Sequence, residues 1–175
     1  MEITRSWCMP NSNTFKIRPI RQLIKKELIG GIIIDPFANS ASLKNMIDSN
    51  VLYITNDIDE HYDTDYHMDA LEFLKKFEDN SIDMVLYDPP YSPRQVSECY
   101  RSLNMTVNFQ TTNSSYWTNH KKEISRIVKT GGKVITFGWN SGGIGKKYGF
   151  HISNILLVAH GGWHNDTICT VEIKK

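Results

Sequence analysis

The feature that most constrains this chain is a recurring unit. A short apolar run ends in an acidic or polar residue and gives way to a stretch with helical spacing. Gly31-Ile32-Ile33-Ile34-Asp35 is the first such run, and its β-branched residues suit a strand buried on both faces. Val51 to Asn56 is a second, Ile82 to Tyr87 a third, and Lys133 to Phe137 a fourth, announced by the turn pair Gly131-Gly132. Between them, Ile17 to Leu28 sets Ile17, Ile20, Ile24 and Leu28 near one helical stripe. Ala70 to Phe77 and Tyr116 to Val128 read as helices in the same way. Strands alternating with helices require βαβ units, a parallel sheet and right-handed crossovers. The end of the chain departs from this pattern. His151 to Ala159 and Thr167 to Lys174 are strand-like runs separated by Gly161-Gly162-Trp163-His164-Asn165-Asp166, which predicts an antiparallel hairpin.

The 175 residues correspond to one domain spanning 1–175, and 40% hydrophobic with 22% charged residues is globular composition. No stretch approaches the ~18 uncharged apolar residues of a membrane span. Met1 to Pro10 holds Glu2 and Arg5 without an apolar run, so it does not read as a secretory signal. Cys8, Cys99 and Cys169 form no CxxC pair, which favours reduced thiols in the cytoplasm over a disulfide framework or a zinc site. Net charge is +1, but unevenly distributed: +4 over residues 1–30, −10 over 31–90 and +7 over 91–175. Surfaces built from the two ends would attract a polyanion; the alternative is that these charges are spread over solvated faces.

Asp88-Pro89-Pro90-Tyr91 directly follows the third strand, where open α/β sheets hold their ligands. Two prolines fix φ and remove backbone donors, leaving a rigid loop of carbonyl acceptors. An aromatic amine is a poor nucleophile because its lone pair is delocalised into the ring. A site that alkylates one needs acceptors, which the Asp88 carboxylate and Pro89 carbonyl supply, and these also stabilise the positive charge growing on nitrogen. Tyr91 offers a flat face for a base, and a base inside a duplex must be flipped out to reach it.

Asp-Pro-Pro-Tyr resembles motif IV of the S-adenosylmethionine-dependent amino-methyltransferases that act on adenine N6 or cytosine N4 in DNA. Other segments match in order. Asp35-Pro36-Phe37-Ala38-Asn39-Ser40 is similar to their Asp-Pro-Phe-x-Gly-Ser motif I, which wraps the methionine part of the cofactor. Phe15-Lys16-Ile17-Arg18-Pro19-Ile20 is similar to motif X. Asp57, ending the second strand, stands where an acid meets the ribose hydroxyls. Asp69-Ala70 resembles the segment whose Asp contacts the cofactor's adenine amine, although Asp69 is also placed to cap the Ala70 helix. These matches span Phe15 to Tyr91, about half the chain.

The resemblance implies an α/β, Rossmann-like class I methyltransferase fold. Its mostly parallel seven-stranded sheet would end in a C-terminal antiparallel hairpin and carry helices on both faces. Residues 1–30 would form the motif X segment, 31–91 the cofactor and catalytic motifs, and 92–175 the second half of the sheet. It implies S-adenosylmethionine as cofactor, no metal, and methylation of adenine N6 in DNA, with cytosine N4 or RNA as alternatives. Such methylation serves either restriction–modification or regulation. Asn39 and Ala41 stand where the family has glycine; Asn tolerates the left-handed region better than most residues. No segment is free to be a target-recognition domain, so specificity falls to loops, a homodimer or a separate recognition subunit. A non-catalytic partner subunit and a protein-amide methyltransferase, whose motif usually begins with Asn, are the rivals.

Further substrate-contact candidates are Arg94, Trp139, Asn140, Lys146, Lys147 and His164. Gly142-Gly143-Ile144-Gly145-Lys146-Lys147 lacks Walker A spacing and reads as a basic loop near phosphates or a solvated turn. His160 and His164 have metal-compatible i, i+4 spacing, but on a glycine-rich turn without a third ligand. Tyr116 and Trp117 open a helix and read as core.

Overall fold

The computed structural model describes residues 1–41, 43–107 and 113–175. In chain order, β1 is Glu2–Trp7 and a 3-10 turn is Thr14–Lys16, followed by α1 Arg18–Glu27, β2 Ile32–Asp35 and β3 Leu52–Thr55. Next come α2 Ala70–Lys75, β4 Ile82–Tyr87, α3 Pro93–Ser102 and α4 Ser115–Ile127. Then follow β5 Val128–Gly138, a 3-10 turn Lys146–Tyr148, β6 Phe150–Ala159 and β7 Thr167–Lys174. The seven strands form one sheet in the order β1-β6-β7-β5-β4-β2-β3. β7 runs antiparallel to β5 and β6, and the remaining pairings are parallel.

The two-residue period of the strands divides the core. Ile33, Met84, Leu86, Ile135 and Phe137 face α1, where Ile20, Leu23 and Ile24 complete one cluster. Their neighbours Ile34, Val85, Tyr87 and Val134 face the other way, against Phe73 and Leu74 of α2 and Ile124 and Ile127 of α4. A sheet covered on both faces explains why the central strands are apolar throughout.

Three features depart from the sequence reading. β1, where no strand is expected, pairs with β6 from Glu2↔Asn154 to Trp7↔Ala159 at the outer edge. Its alternation is weak because Ile3 and Trp7 face solvent at 65% and 64% exposure. Helix α3 also went unread, although Ser92 caps it by accepting from Gln95 N at 3.3 Å and Pro93 occupies its first turn. Gly131-Gly132 is not a turn before a strand; it lies inside β5, which follows α4 directly. A Cβ on Gly132 would stand 2.8 Å from Val128 Cγ1, and the β4–β5 register shifts there. No helix among the described residues is long and apolar enough to cross a membrane.

Candidate active site

The parallel strands β2, β3 and β4 end on the same edge of the sheet, and their following loops enclose a cavity of about 400 Å³. Motif I forms one wall. Asn39 and Ala41 both adopt left-handed φ, +48° and +47°, so the backbone keeps the shape that glycine usually provides, at a cost of about 1 kcal/mol for the alanine. Asn39 N donates to Asp57 Oδ2 at 2.9 Å, and Asp59 N to Asp57 Oδ1 at 3.0 Å. Burial raises the Asp57 carboxyl above its ordinary range. The buried Asn56 ties the loops together, donating to Pro36 O and Met68 O at 3.0 Å each and accepting from Met68 N. Asn13 Nδ2 donates to Ser40 Oγ at 2.6 Å, joining the motif X segment to motif I.

Phe15, Pro36, Phe37, Asn39, Asp57, Asp69 and Ala70 all line this cavity. Ile17, Asp35 and Ser40 lie outside this lining. Ile17 packs in the core. Asp35 is fully buried behind the wall, accepting from Tyr53 Oη at 2.8 Å and Phe37 N at 3.2 Å. Burial pushes its carboxyl up to about 8. Asp69 does cap α2, accepting from Leu71 N at 2.9 Å, and its other oxygen accepts from Tyr100 Oη at 2.7 Å. Only the remaining lone pair on each oxygen is free for a ligand.

Asp88-Pro89-Pro90-Tyr91 lines the same cavity, and Pro89, Pro90 and Tyr91 also line a second one of about 470 Å³ with Trp117, Trp139, Asn140 and Lys121. The Asp88 carboxylate accepts from Tyr91 Oη at 2.6 Å and from the Thr14 hydroxyl. Burial raises it to about 6 against those two hydrogen bonds, which lower it. Tyr91 also meets Trp139 edge-to-face, with centroids 5.6 Å apart. The loop carbonyls are not all free of donors, because Trp117 Nε1 donates to Pro90 O at 2.9 Å. Trp117 therefore belongs to the site and not only to the core, and Tyr116 likewise reaches the first cavity. Thr14 and Lys121 escaped the sequence reading, and Trp117 was read there as core. For Thr14 the available signal was the polar run Asn11-Ser12-Asn13-Thr14 preceding Phe15.

Trp139 and Asn140 line the second cavity and His164 a third. Arg94, Lys146 and Lys147 line none of these three. Arg94 pairs with Glu98 at 2.7 Å on the exposed side of α3, and Lys147 lies over the Tyr148 ring. His160 is structural: Nδ1 is 2.8 Å from Cys8 O and Nε2 2.8 Å from Thr167 Oγ1. A carbonyl only accepts, so Nδ1 carries the proton, and Nε2 shares a hydrogen bond with the Thr167 hydroxyl. His160→Ala leaves both partners unmatched and is expected to lower stability by about 2–3 kcal/mol, checked by urea unfolding; an unchanged midpoint would remove this role. Among the described residues, no three His, Cys, Asp or Glu side chains are grouped to hold a metal.

No protein family's sequence profile matches the chain, and no curated protein matches it. Solved structures do resemble it in fold. TrmN from Thermus thermophilus superposes with a TM-score of 0.61 at 17% identity over 91% of this chain, which spans 49% of that one. The Burkholderia thailandensis 1,6-didemethyltoxoflavin-N1-methyltransferase, solved with 1,6-didemethyltoxoflavin and S-adenosylhomocysteine, gives 0.60 at 8% identity over 94% of this chain and 80% of its own. The T. thermophilus 16S rRNA N2 G1207 methyltransferase RsmC, solved with AdoMet and guanosine, gives 0.51 at 10% identity over 90% of this chain and 39% of its own. At these identities the likeness establishes the Rossmann-like class I methyltransferase fold.

Proposed function

We propose that this chain transfers a methyl group from S-adenosylmethionine to the N6 amine of adenine in DNA. One observation carries the reading: two cavities of ligand size share Pro89, Pro90 and Tyr91, and the carboxylate of Asp88, the preceding residue, lines the first of them. The first cavity suits the cofactor. Its wall presents Asp57, fixed by two backbone amides with lone pairs left for a pair of vicinal hydroxyls, beside the aromatic faces of Phe37 and Tyr116. The second, walled by Trp117, Trp139 and the prolines, suits a flat base. When bound, S-adenosylmethionine supplies a methyl group made electrophilic by the sulfonium.

Every other step belongs to the protein. Tyr91 and Trp139 orient the base. Asp88 accepts an N–H of the amine, keeping the nitrogen lone pair available as the N–C bond forms and the S–C bond breaks. The same carboxylate can take the proton that the methylated nitrogen sheds. Proximity and orientation supply much of the acceleration. The direct test is transfer of labelled methyl to unmethylated DNA with nucleoside analysis: N6-methyladenine supports the reading, and no transfer by the isolated chain favours a partner-dependent subunit. A second reading, the same transfer to an RNA base, is favoured by the fold likeness to the 16S rRNA enzyme, and the same product analysis separates the two.

Asp88 must be ionised to take the proton and to stabilise the positive charge growing on nitrogen. With its carboxyl raised to about 6, kcat/KM at limiting cofactor, which reports groups of the free enzyme, should fall about tenfold per pH unit below that value and level off above it. Tyr91→Phe removes a hydrogen bond that lowers this pKa, so its inflection should lie at higher pH. Flat profiles from both proteins would exclude titration of Asp88 from the rate.

A further inference from the structure

The third cavity, about 330 Å³, opens beside Tyr91 and Trp139 toward the loop between β6 and β7. Trp163 stands at its edge, fully exposed at 103%. An indole left in water forgoes one of the largest burial gains of any side chain, and Trp163 sits on a tight glycine turn. Gly161 and Gly162 are both left-handed, φ +71° and +59°, and His164 N closes the turn on Gly161 O at 3.3 Å. No Asp, Glu, Lys or Arg lines the cavity, and Asn11, Gln95, His164 and Asn165 offer hydrogen-bonding groups. Lys16 and Arg18, exposed and without ion-pair partners among the described residues, flank the lining residue Ile17 in the chain.

A lining without lysine or arginine does not suit a free phosphate or an acidic peptide, which need fixed cations at the contact itself. A flat heterocycle with donors and acceptors on its edge, joined to phosphates that reach toward cations beyond, does suit it. The cavity shares Tyr91 and Trp139 with the second cavity, so a strand that delivers a base to one passes the other.

We propose that this groove holds the nucleotide adjacent to the target in a single DNA strand, with Trp163 stacked on its base; the inference rests on the second cavity being the target-base site. The test is fluorescence anisotropy of an end-labelled single strand of about 12 nucleotides containing one adenine, with the 175-residue chain and S-adenosylhomocysteine. Trp163→Ala should weaken binding about 10-fold or more, and Trp163→Phe by no more than about threefold. An abasic residue beside the adenine, tried on each side, should cost the native chain a similar factor from one side and cost Trp163→Ala almost nothing. Trp163 packs on nothing, so its replacement does not threaten the fold. Equal binding by Trp163→Ala, an equal abasic penalty in both proteins, or no binding by the native chain would overturn the groove. Trp163-dependent binding without methyl transfer would overturn the proposed reaction and leave the groove intact.

Discussion

Asp88→Ala is expected to lower methyl transfer on the order of 10³-fold while cofactor affinity stays within about threefold. The carboxylate lines the first cavity next to the Pro89-Pro90-Tyr91 segment that both cavities share, and the positive charge of the transition state grows on the nitrogen it would hold. An acceptor placed there contributes mainly after the reaction has begun, so its loss falls on kcat. The first cavity, proposed to hold the cofactor, does not depend on it for shape, because the loop after β2 is held by Asn56, Asp57 and Asn13 instead. The variant frees the Tyr91 and Thr14 hydroxyls, both near enough to the cavity to be solvated. Retained binding of S-adenosylhomocysteine then serves as the control for folding. Transfer at the native rate would remove Asp88 from the mechanism, and loss of transfer and binding together would make it a structural residue.

Much of this arrangement was legible in the sequence because it is local. Each apolar run closing in an acid or polar residue became a strand ending at the site, and Asp35, Asn56 and Asp88 follow or end β2, β3 and β4. The left-handed Asn39 was also legible, since few residues other than glycine accept that conformation. What escaped depends on contacts between distant parts of the chain. Trp117 meets Pro90 across 27 positions, and Thr14 reaches Asp88 across a still longer interval. No spacing rule encodes either contact. Asp35 shows the converse: its place in the motif implied a ligand contact, whereas burial and the Tyr53 hydrogen bond turn it into a brace behind the wall. The edge strand β1 was hidden because its sequence carries no buried alternation, its large apolar residues Ile3 and Trp7 being exposed.

Asp57→Ala should separate binding from chemistry in the opposite sense to Asp88→Ala. A carboxylate that accepts from two neighbouring hydroxyls makes two charge-assisted hydrogen bonds, each stronger than a neutral one. Their loss is expected to weaken S-adenosylmethionine on the order of 100-fold, read by titration calorimetry, with transfer at saturating cofactor within about threefold of native. Part of the effect could arise indirectly, because Asp57 also receives Asn39 N and Asp59 N and so helps hold the loop in its left-handed path. Asp57→Asn distinguishes the contributions: it keeps the side-chain volume and one oxygen for the loop, but lacks the charge and the second acceptor. If the hydroxyl contacts dominate, the Asn variant binds nearly as weakly as the Ala variant. If the loop dominates, it recovers most of the affinity. Native affinity in Asp57→Ala would place the cofactor elsewhere and undo the assignment of the first cavity, whatever Asp88→Ala had shown.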